Sequence, residues 1–298
     1  MAGETTVSTL AGWFHTQLID KLLAPYAIDP FCSMKHVRLA EVPQGTVAVA
    51  FNTVTKDTAL SSTITEATGL SNTAYDTTKA TATAAEVGIM RQSTKLSEHQ
   101  NLYGRDGLFM QWVDDGVKMC HEKCETDVNG QWTNASTSVG TSGANFTLAN
   151  LGQALAQHTV NKSIGALYGY LHATAGKNLR AEVLDSGATW LATGAGNNLL
   201  KRTNVDGYMG SLLGVELYTN NLGLTSGGDK ISCIMVDGQA PENDSANCST
   251  ALAIAWDVQA TPIFYNPIFS GGMQVAFTMA YGLVEVIDYP YVKAPTIA

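Results

Sequence analysis

Charge is what this chain has least of. Asp, Glu, Lys and Arg make up 14% of its 298 residues, against about 25% in ordinary soluble domains. Lys plus Arg number 17 against 26 acids, a net charge of -9, and no basic run is longer than Lys201-Arg202. The clustered cations that displace phosphate counterions are therefore missing, which excludes a dedicated nucleic-acid reader. A surface so poor in charge is one shared with partners. Long apolar runs are missing too, since none reaches the ~18 residues of a membrane-crossing helix. The opening MAGETTVSTLAGWFH has neither a basic start nor an unbroken apolar stretch, so no secretory signal and no membrane partner are expected. Cysteine is sparse: Cys32, Cys120, Cys124, Cys233 and Cys248 are odd in number and irregular in spacing, which fits reduced thiols rather than a disulfide framework. Without a secretory route, the N-x-S/T sequons at Asn134, Asn145, Asn161, Asn243 and Asn247 signify loop polarity only.

Catalytic signatures are also scarce. His121-Glu122-Lys123-Cys124-Glu125 begins like a zinc-protease helix but has Glu125 where the second His belongs. Cys120, His121 and Cys124 could share a metal, yet Cys120 and Cys124 continue an apolar helical stripe and no second ligand pair stands nearby, so they read as core. Gly194-Ala195-Gly196 lacks the third glycine of a dinucleotide loop, and Gly176-Lys177 lacks the earlier glycine of a phosphate loop. The six histidines (His15, His36, His99, His121, His158, His172) are scattered without triad order. Asp114 and Asp115 are adjacent and point apart on a helix, whereas acid/base pairs must face one another. The expectation is no catalytic residue, no cofactor, no metal and no enzyme.

What is present is a globular composition, with 45% hydrophobic residues and enough length to bury a sizeable core. The feature that stands out is residues 53–83, of which 11 are Thr and most of the rest Ala, Ser, Asp or Leu. Flanking it, Val47, Val49 and Phe51 alternate with Thr46, Ala48 and Ala50, and Ala85, Val87 and Ile89 alternate with Glu86, Gly88 and Met90. Both flanks read as strands, closed by a long small-residue tip into a projecting β-arm. A lone two-stranded ribbon is marginal in water, so another copy of the chain is the expected support.

Elsewhere, Leu10, Phe14, Leu18 and Leu22 predict a short amphipathic helix over 8–23, ended by Pro25. Ser97-Glu98-His99-Gln100 reads as a capping box that opens a long helix to about Asp127. Leu108, Trp112, Gly116, Cys120 and Cys124 line its buried face with Phe109, Val113 and Val117, and Asp114, Lys118 and Glu122 line the other. Asn129-Gly130 predicts a turn, and 148–163 a second helix. Beyond it come a strand over 164–171, a helix over 177–191, a loop at 194–198, and strands over 214–220, 231–236 and 251–256. Pro262 and Pro267 punctuate a crossing segment, and a long strand over 274–286 carries Gly282 at a bulge or close approach. There is no internal repeat.

This order of elements resembles the major capsid proteins of tailed phages, the Hong Kong 97-type coat fold. Three segments carry the likeness: Tyr168–Arg180 (YGYLHATAGKNLR), Asp206–Asn220 (DGYMGSLLGVELYTN) and Ala280–Val286 (AYGLVEV). The resemblance implies an α+β coat fold with an N-arm (1–43), an extended β-hairpin E-loop (44–96), a peripheral domain with a long spine helix (97–163 and 268–298) and a mixed α/β axial domain (164–267). It implies self-assembly into an icosahedral shell around packaged double-stranded DNA, in a virion assembled in the host bacterial cytoplasm. The implied partners are the chain itself as pentamers and hexamers, DNA without sequence specificity on the inner face, and portal and decoration proteins. A long helical scaffolding segment ahead of the arm is lacking, so a scaffold would be a separate protein. Lys56 and Lys79 on the E-loop read as solvated lysines, not cross-linking groups. Rival readings are an encapsulin-like bacterial compartment, a tail-tube subunit, and a β-rich enzyme whose Thr/Ala stretch is a mobile lid.

Overall fold

A computed structural model describes residues 4–5, 36–54, 77–100, 104–161, 165–185, 207–222, 225–226, 228–236, 252–265, 272–287 and 291–296. The expected helix over 8–23 and the loop at 194–198 lie outside the described residues. The elements in chain order are β1 (Glu4–Thr5), β2 (Arg38–Glu41), β3 (Ala48–Val54), β4 (Thr77–Thr83), β5 (Ala85–Ser93), α1 (Lys95–Gln100), α2 (Gly104–Gln131), α3 (Leu148–Val160), β6 (Leu167–Leu171), α4 (Ala173–Asp185), β7 (Tyr208–Leu212), β8 (Val215–Thr219), β9 (Thr225–Ser226), β10 (Asp229–Val236), β11 (Leu252–Tyr265), β12 (Gln274–Glu285) and β13 (Tyr291–Thr296).

The strands form two main sheets and a separate ribbon. The first sheet has the order β1-β5-β12-β11-β2, the second β13-β10-β6-β8-β7 with β9 on β10, and β3 and β4 pair with each other alone. Helix α2 is the spine. Trp112, Gly116, Cys120, Cys124 and Val128 are buried along it, the phase expected from the sequence, while the Leu108 and Phe109 side chains lie outside the described ones. The stripe packs on Val275, Phe277, Met279 and Tyr281 of β12 and, at its far end with Trp132, on Tyr170, Cys233, Met235 and Tyr291 of the second sheet. A single helix thus fills the seam between the two sheets. On the opposite side of the second sheet, Leu151 and Ala154 of α3 and Ala175, Leu179 and Val183 of α4 cover Leu171, Leu217, Ile234 and Val292.

Several local expectations are corrected. The spine begins at Gly104, and a separate short helix, α1, precedes it. The box that opens α1 is Thr94 with Ser97: Ser97 N donates to Thr94 Oγ1 (3.2 Å) and Thr94 N to Ser97 Oγ (3.1 Å). Glu98 instead accepts from the Met273 backbone N at 2.7 Å, tying α1 to the start of β12. Asn129-Gly130 makes no turn but lies inside α2, where Asn129 is buried and its Nδ2 donates to the Leu222 carbonyl at 2.7 Å. That tertiary bond outweighs the local turn preference of Asn-Gly. Helix α4 starts at Ala173, earlier than expected, because Asn221 Oδ1 and His172 Nδ1 accept from the N–H groups of Ala173 and Thr174. Strand β11 continues through Pro262 to Tyr265. Proline is tolerated there because β2 pairs only with Ala253–Trp256, so one side of β11 has no described strand partner at Pro262 and no ladder donor is lost.

Other expectations match. Helix α3 spans Leu148–Val160 and is capped by Thr147, whose Oγ1 accepts from Asn150 N at 3.3 Å. Residues 231–236 of β10 are buried throughout. The strand expected over 214–220 is β8, and it is joined to β7, a strand not read from the sequence, by a tight hairpin at Leu213-Gly214 with both residues at positive φ, 53° and 81°, the twist that two-residue hairpins require. Sheet membership crosses the expected domain borders at two points. Residues 252–265 pair with 274–285 in the first sheet, and 291–296 pair with β10 in the second.

Candidate assembly surface

The β-arm is built from the Thr-rich stretch itself. Ala48–Val54 pairs in antiparallel register with Thr77–Thr83, from Ala48 opposite Thr83 to Val54 opposite Thr77. The sequence reading assigned the return strand to Ala85–Met90, but that segment is part of β5 and pairs with β12. β-Branched Thr suits a ribbon, and the alternation within 77–83 places Ala80 and Ala82 on one face and Lys79, Thr81 and Thr83 on the other. Only Ala84 separates β4 from β5, so one nearly continuous strand leaves the arm and enters the first sheet.

The arm is anchored at its base by a small apolar cluster. Phe51 and Ala82 are buried against Ala253 and Ala255 of β11, with Val49, Val284 and Val286 alongside. Gly282 marks the close approach that the sequence suggested: a Cβ there would stand 2.4 Å from the Thr83 carbonyl oxygen. The chain enters the arm through a turn in which Thr46 N donates to Pro43 O at 3.0 Å and Gly45 adopts φ 84°. Residues 55–76, including Lys56, lie outside the described residues; Lys79 is exposed on the outer face of the ribbon.

The residues weighed for chemistry are dispersed. Cys120 and Cys124 are buried in the spine core, and Cys120 Sγ lies 3.7 Å from the Phe277 carbonyl oxygen. Burial pushes the thiol pKa up at Cys120, Cys124 and Cys233, with Glu125 and Asp127 adding to the rise at Cys124. Such thiols carry little thiolate and are poor nucleophiles and poor ligands. Half-buried His121 has its pKa lowered by desolvation. Among the described residues, no three His, Cys, Asp or Glu side chains come together as a metal site would require. Asp115 pairs with Arg91 of β5; the Asp114 side chain, His15, Cys32, Cys248 and Gly194–Gly196 lie outside the described residues. His99 is exposed and His172 half-buried at the start of α4.

Two groupings had no signal in the sequence. His36 stacks on Tyr168 with ring centroids 3.6 Å apart, beside Tyr170 and Tyr218, and so ties the segment before β2 to the second sheet. Glu125, fully buried on α2, accepts from Asn220 Nδ2 at 2.8 Å, one turn before Asn129 holds Leu222. Together these bonds fasten the spine to the loop after β8. Neither pair is close in sequence, so no spacing rule could have linked them.

No protein-family model matches the sequence, and no curated protein matches it. Solved structures do. The capsid of a cyanophage, P-SCSP1u, superposes with a TM-score of 0.66 at 12% identity, covering 93% of this chain and 94% of that one. The capsid of Ralstonia phage GP4 gives 0.64 at 11% identity, with 93% of each chain covered. The SrpI encapsulin of Synechococcus elongatus gives 0.62 at 10% identity, with 94% of each chain covered. Because the coverage takes in nearly the whole of both partners, the likeness is one of complete folds rather than of a shared fragment. The chain has the α+β coat fold of phage capsids, the Hong Kong 97-type fold expected from the resemblance.

Proposed function

We propose that this chain is the major capsid protein of a tailed phage, a structural protein and not an enzyme, which assembles into the icosahedral shell around packaged double-stranded DNA. The observation that carries the reading is a coat fold covering nearly the full length of phage capsid chains, joined to a β-arm anchored at its base by a small apolar cluster. Heterologous contacts repeated by rotation close rings, here pentamers and hexamers. At a net charge of -9, the inner wall tolerates DNA without gripping it, as a container requires. Residues 1–43 serve as N-arm and 44–96 as E-loop. Residues 97–163 and 268–298 serve as peripheral domain and 164–267 as axial domain, with β11 and β13 each pairing across that border. Portal, decoration and separate scaffold proteins complete the partner set in a virion built in the bacterial cytoplasm. Lys79, exposed on the ribbon, serves as a solvated lysine.

The second reading, an encapsulin-like compartment holding cargo proteins, is favoured by the SrpI likeness. Electron microscopy of particles from the expressed chain, with analysis of their contents, separates the two by particle size and by DNA or protein cargo. The arm is tested by replacing residues 55–76 with Asn-Gly, a two-residue connection that suits the register of Val54 opposite Thr77. The expected product is a folded, soluble subunit that forms no shells; particles of normal yield and size would refute the role of the arm.

A further inference from the structure

Helix α4 lies close against β7 and β8 of the second sheet. Gly176 is buried there, and a Cβ on it would stand 2.8 Å from Thr219 Cγ2 and 3.2 Å from Met209 Sδ. Beside this contact opens a recess of about 400 Å³ lined by Ala173, Gly176, Lys177, Arg180, Ala181 and Thr219, a volume within the range of small-molecule sites. Its floor is apolar. Ala173, Gly176 and Ala181 carry at most a methyl group, and the Thr219 hydroxyl is engaged elsewhere, donating to the Gly207 carbonyl oxygen at 3.2 Å, while its methyl group faces Gly176. The charged lining is Lys177 and Arg180, three residues apart and therefore on adjoining turns of one helix face. Neither is paired with an acid among the described residues. Glu182 of the same helix accepts from Leu148 N at 2.7 Å, and Asp185 stands exposed at the helix end, outside the recess. In a chain with 17 cations against 26 acids, two unpaired cations in one acid-free recess mark a place where an anion collects.

We infer that this recess binds a phosphate monoester carried on a small organic body, the class of a nucleoside monophosphate. The inference goes beyond the assembly reading and applies to the single subunit. Three features fix the ligand class. A phosphate monoester carries about two negative charges at neutral pH, which matches the pair of free cations, whereas a carboxylate or a backbone phosphodiester, with a single charge, leaves one cation unanswered. Arg180 offers a planar fork that takes two phosphate oxygens at once, and Lys177 adds a point charge from the preceding turn. The volume and the methyl-lined floor exceed what a bare phosphate fills and give an organic body an apolar wall to cover. The start of the helix is not the anion holder, because the N–H groups of Ala173 and Thr174 already donate to Asn221 Oδ1 and His172 Nδ1. Gly176-Lys177, which lacks the loop of a backbone phosphate cradle, thus contributes through its lysine side chain.

The test titrates adenosine 5′-monophosphate into the full-length chain by calorimetry at fixed ionic strength, with adenosine, inorganic phosphate and a short DNA duplex as comparison ligands. The expected result is one saturable site per chain with Kd at or below about 1 mM, weaker binding of inorganic phosphate and none of adenosine. Lys177→Gln and Arg180→Gln should each weaken the monophosphate about ten-fold, since each removes a charge-assisted hydrogen bond. Neither should move the unfolding midpoint, because neither side chain has a described partner to lose. Ala181→Leu, at an exposed helix position, fills the floor while keeping both cations and should abolish binding, a loss that diffuse charge attraction would not produce. No saturable site, equal affinity for inorganic phosphate, or displacement by the duplex at equal phosphate concentration would overturn the inference. Binding unchanged in both glutamine variants, or in Ala181→Leu, would overturn it as well.

Discussion

The same substitution at two helical glycines should have opposite effects. Gly116 lies on the buried face of α2, where an added Cβ would stand 2.3, 2.5 and 2.6 Å from Cδ2, Cγ and Cε2 of Phe277. Phe277 is fully buried in β12 and flanked by β5 and β11, so its ring cannot swing away as a long flexible side chain could. Gly152 lies within α3 with nothing inside 4 Å of its hypothetical Cβ. Glycine to alanine in a helix gains about 0.8–1 kcal/mol of propensity at either position. At Gly116 overpacking opposes that gain by about 1–3 kcal/mol, and contact with three ring atoms puts the cost at the upper end. Gly116→Ala should therefore lose roughly 1–2 kcal/mol net, while Gly152→Ala gains roughly 0.5–1 kcal/mol. In a chain of this length, about 2 °C accompanies each kcal/mol, which predicts midpoints roughly 2–4 °C lower and 1–2 °C higher. Thermal unfolding of unassembled subunits, followed by circular dichroism, reads both. A Gly116→Ala subunit as stable as the parent would mean that the spine does not meet β12 through this glycine, and the helix-on-sheet contact would have to be redrawn.

Other expectations concern the spine and a buried histidine. Trp112→Ala empties a buried site and should cost about 3–5 kcal/mol in urea unfolding, whereas Lys118→Ala on the opposite face should cost under about 1 kcal/mol; equal losses would contradict the helix phase. Changing both Cys120 and Cys124 to Ala should preserve assembly with a modest packing loss, and elemental analysis of the parent should find no stoichiometric zinc; one zinc per chain, lost in the double variant, would reopen an enzymatic reading. His158 is buried, with Nε2 3.1 Å from the Ile234 carbonyl oxygen, and desolvation lowers its pKa although that hydrogen bond opposes the shift. The folded state thus binds the proton less readily than the unfolded chain, so His158 contributes stability that is fully present above the ordinary histidine pKa of about 6.5 and is lost as pH falls below it. The urea midpoint should drop between pH 7.5 and pH 5, and His158→Gln should flatten that slope; an unchanged slope would show that His158 does not set it.

The sequence by itself determined whatever depends on local periodicity. The stripe from Trp112 to Cys124 specified the buried face of the spine, because apolar residues at three- and four-residue spacing share one side of a helix whatever it packs against. The unbroken apolar run of β10 required burial, and the small-residue alternation around 47–83 announced an arm. Low charge and the missing catalytic spacings were equally plain. Choice of partner was decided by the tertiary structure. Both Thr77–Thr83 and Ala85–Met90 read as strands, and only the surfaces awaiting them, Val49 and Phe51 for one and β12 for the other, assign the first to the arm and the second to the sheet. Asn129-Gly130 stays helical because Leu222, 93 residues away, offers Asn129 a buried acceptor, and Pro262 stays in a strand because its neighbour β2 ends short of it. Glu125 is tolerated in the core because Asn220 meets it there. Strand pairing, buried hydrogen bonds and close glycine contacts join residues far apart in the chain, and local patterning carries no record of which distant group will be across the gap.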